Sequence, residues 1–483
     1  MSSHADEALP ERPGADLEPA PEERRKLAEK VLERVLAHLE SLPEQPIRGP
    51  LGDLDFFRSL RTAAPTVEQD PEVLLDLLFD EVVPRSFNTA GPGYMAYIPG
   101  GGLFPAAMAD LIATTTNRFS GIWKAAPGLA EIEACVLDWL RVWMGFPETT
   151  RGILTPGGSA STLSAVICAR DHHLSPEIRP GVLYTSVEAH HCIAKAARLA
   201  GIFEDRVRLV PVDGSYRMRT DLLQEAIDRD RDQGLRPFMV ASSAGTTNTG
   251  AVDPIAAIHE ICRSEDLWHH VDGAYGGFFH LVEEMRGTLR GLSEADSLAL
   301  DPHKGLFLPY GTGALLVRDG RRLEASHAGT AGYLPTAPGD EFYDPSQYGP
   351  ELSKPWRGLR VWLTVQLLGT DRLFAAITEK RDLALAAYEA FAGDPRLAVL
   401  GPPELSLFPF YVRAGNLEKE NELTRELIAR LEARGRVMLS GCVQGSRFLG
   451  RVCVLSYRTR AAQIATLIED CRDILDEIHP QVA

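Results

Sequence analysis

From about residue 130 to 320 the chain alternates between two hydrophobic periods. Apolar residues recur at helical spacing near 129–146, 159–173, 191–201, 220–233 and 254–265. Between these stretches lie short apolar runs: VLYTS (182–186), VRLVPV (207–212), FMVASS (238–243), LWHHVD (267–272), SLAL (297–300) and ALLV (314–317). Such runs are too short for buried helices and read as strands. Their alternation with helices predicts an α/β domain with a mostly parallel sheet. Ligands bind such sheets beyond the carboxyl ends of the strands.

The flanks follow other patterns. Residues 356–392 read as one long helix or a kinked pair. LFPFYV (407–412), a helix near 418–434, VMLSGCV (437–443), VCVLSY (452–457) and a helix near 461–478 predict a small α+β domain. Before the main body, Leu27, Val31, Leu32, Val35, Leu36 and Leu39 give residues 22–41 one apolar helical face that needs a partner. The expected organisation is a disordered leader over 1–21, an N-terminal helical segment over 22–103, a large domain over 104–375 and a small one over 376–483.

Charge and cysteine content narrow the function classes. The net charge of −17 disfavours nucleic acid or an anionic membrane as the main partner. No apolar stretch approaches the roughly 20 residues of a membrane span, and the polar, acidic N-terminus lacks a signal-peptide pattern. The seven cysteines are scattered and form no CxxC pair, which predicts free thiols in a reducing cytoplasm.

Five motifs sit at strand ends or helix starts. In TPGGSASTLSAVICAR (155–170), Gly157, Gly158 and Ser159 open a helix; the run is either a phosphate seat or a glycine turn with a serine cap. In HHVDGAYGGFF (269–279), Asp272 ends a strand, suited to a protonated ring nitrogen or to a turn. In SLALDPHKGLFLPYGTGALLVRD (297–319), Lys304 stands among Leu306, Phe307, Leu308 and Pro309. Desolvation there is expected to lower its pKa and favour an imine-forming amine. EAHHCIAKAA (188–197) offers His190 as a flat ring, and SSAGTTNTGAVDPIAAI (242–258) places Thr246 at a strand end. The histidine pairs at 172–173, 190–191 and 269–270 are adjacent and so point apart, which argues against a metal site.

The order of these motifs resembles the group II pyridoxal-phosphate (PLP) dependent amino acid decarboxylases, most closely their aromatic L-amino acid branch. The resemblance runs from about residue 22 to 478 and includes AYIPGGGLFPAAMAD (96–110) and WKAAPGLAEIE (123–133). It implies the PLP-dependent transferase fold type I, like aspartate aminotransferase, and a homodimer. Lys304 would carry PLP as a Schiff base, Asp272 would bind the pyridine nitrogen, Ala274 would lie under the ring, and His190 would stack on its other face. Gly158, Ser159, Asp301 and His303 match positions around the phosphate, and Thr246 a position near the reacting carboxylate.

The implied reaction is loss of CO2 from an L-amino acid, aromatic in preference, to give the amine. Oxidative conversion to an aldehyde and amino transfer are the alternatives. Two positions depart from the family pattern: Ala160 stands for a glutamate, and Asp301 for the usual asparagine. The mobile loop corresponds to EFYDPSQYGPELSKPWRGLRVW (341–362), where Tyr343, ahead of Tyr348, is the expected proton donor. Tyr97, Ile98, Phe119 and Trp123 are the expected substrate contacts, with Gly121 at a position that is often bulky. Asn117 and Arg118 lie beside them, the arginine as a surface or interface residue or a contact to an acidic substrate.

Overall fold

The computed structural model describes residues 17–50, 52–329, 332, 337–339 and 341–479. Most of the expected leader therefore lies outside the described residues. The chain forms two compact units, Met1–Asn88 and Thr89–Ala483.

In the first unit, helix Pro21–Ser41 begins where Pro21 can occupy the first turn and Glu23 can accept from the Ala20 N–H at 2.9 Å. Its polar face is tied to the following segment by Lys30–Glu72 and Arg34–Asp80 pairs. Leu27, Leu32 and Leu36 remain exposed.

The second unit contains eleven strands among the described residues. The first seven are β1 (Arg151–Thr155), β2 (Gly181–Ser186), β3 (Val207–Val210), β4 (Arg236–Ser243), β5 (Trp268–Gly273), β6 (Ser297–Leu300) and β7 (Gly313–Val317). They form one sheet in the order β1-β7-β6-β5-β4-β2-β3. Only β7 runs against the others, because the loop of residues 301–312 between β6 and β7 reverses the chain, with a single helical turn, instead of forming a helical crossover. Alternate residues face opposite layers. Leu183, Met239 and Ala241 pack with helices Gly158–Leu174 and Cys192–Leu199. Val182, Tyr184 and Val240 pack with helices Thr220–Asp232 and Ile255–Ser264.

The remaining strands, β8 (Leu397–Val399), β9 (Leu407–Val412), β10 (Ser440–Gln444) and β11 (Arg447–Cys453), form an antiparallel sheet in the order β10-β11-β9-β8. Its apolar face is covered by helices Leu417–Arg434 and Ala461–Ile478. The expected fold class, a mostly parallel large sheet with a small α+β part, is therefore present.

Two expectations change, and one alternative is decided. The N-terminal boundary moves from 103 to 88, because residues 94–103 bond into the second unit. Met95 N–H donates to Met438 O at 3.0 Å, and Gly102 N–H to Phe307 O at 2.8 Å. Strand β11 starts at Arg447, ahead of the apolar run that suggested it, since Arg447, Gly450 and Arg451 interrupt the apolar pattern of its first five residues. The 356–392 segment resolves into helices Gly358–Leu368 and Thr370–Ala392, broken at Gly369 with φ +75°. No helix among the described residues is long and apolar enough to cross a membrane.

Candidate active site

The carboxyl ends of β1, β5 and β6 meet at one place. Thr155 of β1 pairs with Gly313, and Leu300 of β6 with Ala314, so the residues after both strands emerge side by side. After β6, Asp301 enters a single helical turn, Pro302–Gly305, that places Lys304 three positions on. Lys304 Nζ lies 2.8 Å from Asp301 Oδ2.

This contact corrects the expected lysine chemistry. Burial pushes the Lys304 amine down, but the charge and hydrogen bond of Asp301, with Asp272 beyond, outweigh it and raise the pKa. The hydrophobic wall inferred from the neighbouring sequence is present, since Leu306, Phe307 and Leu308 are buried. It is electrostatically overridden by a residue one turn away.

Asp301 is 2% exposed, and its Oδ1 has no hydrogen-bond partner. Both carboxyl oxygens border the Gly157–Gly158 turn: a Cβ at Gly158 would sit 3.3 Å from Oδ2, 3.6 Å from Oδ1 and 2.9 Å from the Ala274 methyl. Glycine at 158 thus keeps open a space bounded by Asp301, Ala274 and the start of helix Gly158–Leu174. Ser159 is exposed on that first turn. His303 donates from Nδ1 to the Thr312 carbonyl at 2.8 Å, leaving Nε2 3.6 Å from Asp301 Oδ2. Burial lowers the His303 pKa, with Asp301 opposing and Lys304 adding to the shift.

At the end of β5, Asp272 Oδ1 accepts from the Ala274 N–H at 3.1 Å, and Oδ2 meets the Cys192 thiol at 3.9 Å. His190 accepts at Nδ1 from the Cys192 N–H at 3.3 Å. Its pKa is lowered by burial, against the pull of Asp272 and with the help of His191 and Lys304, so the imidazole is neutral. Thr246 is buried beyond β4, which pairs with β5, and its hydroxyl shares a 2.8 Å hydrogen bond with Thr249.

Lys304, Asp301, His303, Gly158, Ala274, Asp272 and His190 therefore form one linked constellation. Tyr343 and Tyr348 stand apart from it. The two rings stack at 5.4 Å, and the Tyr343 hydroxyl donates to Gly152 O at 3.3 Å, at the opposite end of β1 from Gly157. Tyr343, the expected proton donor, is bonded in this arrangement at the far end of β1.

Trp123 packs on Phe342, 4.6 Å between ring centres, and donates to Glu131 at 2.6 Å. It thus sits between the Tyr343 segment and helix Pro127–Trp143. Tyr97, with φ +54°, and Phe119 present exposed rings, while Ile98 packs against the core. Asn117, with φ +43°, ends its helix in the left-handed region. Gly121 has no room for a side chain, because a Cβ would meet Leu352 O at 1.8 Å.

Two contributors escaped the sequence reading. Cys192 lies against Asp272. Arg451, buried on β11, donates to Asn248 O at 3.0 Å, Tyr97 O at 3.3 Å and Ser440 Oγ at 2.8 Å, and so braces the loop after Thr246.

The donor set suits a planar, phosphorylated aldehyde: an amine for the carbonyl, a carboxylate at a strand end for a ring nitrogen, a methyl beneath the ring, and a glycine turn at a helix start for the phosphate. Comparison with known proteins agrees. Residues 58–413 match the pyridoxal-dependent decarboxylase conserved domain. The chain is 30% identical over 470 residues to an aromatic-L-amino-acid decarboxylase of Bacillus atrophaeus, covering 96% of this chain and 98% of the relative. It is 28% identical over 451 residues to a 4-hydroxyphenylacetaldehyde synthase of Rhodiola rosea, covering 90% and 92%. The structure of Oryza sativa TDC with PLP and tryptamine superposes with a TM-score of 0.91 at 28% identity, covering 96% of this chain and all of that one. The chain belongs to the pyridoxal-dependent decarboxylases, on their aromatic amino acid branch, and is a PLP enzyme of fold type I.

Proposed function

We propose that the protein decarboxylates an aromatic L-amino acid to the amine and CO2. The observation that carries this reading is the meeting of Lys304, Asp272, Ala274 and the Gly157–Gly158 turn at the carboxyl ends of three strands. PLP, when bound, supplies an electron sink for the pair left as the carboxylate departs. Lys304 Nζ would hold the cofactor, and Asp272 would keep a proton on its ring nitrogen. Neutral His190 offers a flat face to the ring, and Thr246 stands by the reacting carboxylate. The Lys304 amine, 2.8 Å from Asp301, would also be able to carry a proton at Nζ.

Tyr97, Ile98 and Phe119 supply apolar and aromatic contact to the substrate. Exposed Tyr97 and Phe119, with Leu111 and Ile112 on the neighbouring helix Phe104–Thr116, suit cover by a second copy of the chain. We therefore read the working form as a homodimer, which light scattering across a dilution series tests. All seven cysteines are free, in keeping with a cytoplasmic enzyme.

One observation favours a second outcome. The Tyr343 hydroxyl is bonded to Gly152 O, so this tyrosine does not return a proton beside Lys304 in this arrangement, and oxidation to an aldehyde by dioxygen competes. Assaying CO2, amine, aldehyde and peroxide in the same tubes over a panel of L-amino acids decides between them. Equal amine and CO2, abolished by Lys304→Ala, is the expected result. Aldehyde with matching peroxide overturns it in favour of the second outcome.

A further inference from the structure

The carboxyl of Asp301 presents an electrostatic problem. It is 2% exposed, and both its oxygens, the unpartnered Oδ1 among them, border the turn that suits the phosphate of the cofactor. A buried carboxylate facing a phosphate repels it. In the structure Lys304 neutralises that carboxylate across 2.8 Å. Yet Lys304 Nζ has no free electron pair while protonated, and must lose a proton before it can bond a carbonyl carbon.

We propose that Asp301 takes this proton from Lys304 during cofactor capture and then faces the phosphate as a neutral carboxylic acid. The inference rests on the reading that Lys304 holds the cofactor. One N–H bond at Nζ breaks and one O–H bond at Oδ2 forms, which frees the electron pair of the amine. Nothing enters from outside the pair.

In the free protein the ion pair keeps the proton on Lys304. An arriving phosphate sets a second negative charge beside the Asp301 carboxylate, and a like charge favours the acid over the anion. His303, fixed by its Nδ1–H on Thr312 O, turns the bare lone pair of Nε2 toward Asp301 Oδ2 at 3.6 Å. A carboxylate has nothing to offer that lone pair, whereas a carboxylic acid can donate to it or to a phosphate oxygen.

The titratable and charged groups around Asp301 are few. Lys304 and His303 share its turn. His190 and Cys192 come from the segment after β2, and Asp272 from β5. Arg360 reaches Thr312 Oγ1 at 2.8 Å behind His303. Lys304 is the one that ion-pairs with Asp301 at hydrogen-bond distance.

The test uses the full-length protein stripped of cofactor, with wild type and Asp301→Asn compared. The rate of PLP capture is followed by absorbance between about pH 5 and about pH 8.5. With an internal base, the wild-type rate should change less than about threefold. Asp301→Asn must release the proton to solvent, so its rate should rise by about tenfold per pH unit below the point at which Lys304 is fully neutral; because burial alone lowers that point, the series is carried down to about pH 5. Equal slopes would overturn the proposal.

A second measurement compares equilibrium affinity for PLP with that for pyridoxal, which lacks the phosphate. An acid and an amide both donate, so the PLP-to-pyridoxal preference should stay within about threefold in the variant. A gain of tenfold or more would mean that Asp301 remains an anion against the phosphate, and would also overturn it. Borohydride reduction followed by peptide mapping separates the two levels. A label on Lys304 with the wrong slopes sinks this proposal alone, whereas a label on another lysine sinks the site assignment with it.

Discussion

The Tyr343 hydroxyl donates to the Gly152 carbonyl at 3.3 Å, holding the 341–348 segment against the start of β1. Gly152 pairs with Leu316, and Thr155 with Gly313 at the site end. The strand between them accounts for about 10 Å. Glu131, Arg141, Phe342 and Tyr348 line the same 180 Å³ cavity. Tyr343 is therefore an anchor in this arrangement. Tyr343→Phe should cost about 1 kcal/mol of stability in urea melts, as expected for one lost hydrogen bond. It should leave the amine-to-aldehyde ratio unchanged. A switch toward aldehyde on this substitution would show instead that the segment swings to the site and that Tyr343 acts there.

Gly158 provides a steric test of the cofactor seat. A methyl added there would lie 2.9 Å from the Ala274 methyl and 3.3 Å from Asp301 Oδ2. Neither neighbour is the tip of a long, flexible chain, so the added group intrudes on the space assigned to cofactor. Gly158→Ala should weaken PLP binding at least about tenfold, with a stability cost of about 1–3 kcal/mol from overpacking. Gly214→Ala serves as the control, because nothing lies within 4 Å of its added methyl. Fluorescence titration with PLP gives both affinities. Unchanged binding in Gly158→Ala would move the phosphate seat elsewhere.

How much of this was legible beforehand depended on range. Asp272 and Lys304 stood out because each closes an apolar run, and the topology that gathers strand ends did the rest. Strand β1 escaped notice because RGILT opens with a charge and a glycine, although its last four residues are buried. The contact of Cys192 with Asp272 spans 80 positions and depends on strand order, which periodicity does not encode. The direction of the Lys304 shift was recoverable. Asp301 lies three residues before it, a spacing that brings side chains together on a helical turn. The hydrophobic residues after Lys304 drew attention away from the acid before it.

Acid sensitivity should trace in part to β5. Burial pushes His269 down to about 3 and His270 to about 4. Unfolded, both titrate near the ordinary histidine value of about 6.5. As pH falls below that value the unfolded chain binds protons that the folded chain refuses. Stability present above about 6.5 is therefore lost until the folded groups themselves titrate. Asp253 works in the other direction, since burial lifts it to about 6 and the folded carboxyl binds its proton first. Single variants separate these contributions. His270→Gln should flatten the fall in stability between pH 6.5 and 5 by up to about 1.4 kcal/mol per pH unit. Urea melts at several pH values measure the slope, and an unaltered slope would mean that His270 is protonated in the folded protein.

The segment that follows Tyr348 is fastened by a buried charge pair whose loss should be felt throughout the second unit. Lys354 and Glu133 pair with side chains only 5% and 2% exposed, and Glu133 Oε2 has no partner of its own. Trp356 adds a hydrogen bond from Nε1 to Leu129 O at 3.1 Å, so two side chains from this segment grip helix Pro127–Trp143. Removing one charge strands the other in a site without water. Lys354→Met should therefore cost about 3–5 kcal/mol. Replacing both partners removes the stranded charge along with its counterion, so Glu133→Leu with Lys354→Met should recover most of the loss. If the double variant is no more stable than the single one, the pair contributes by packing instead of charge. If Lys354→Met costs less than about 1 kcal/mol, water reaches Glu133 and the segment is looser than its burial implies.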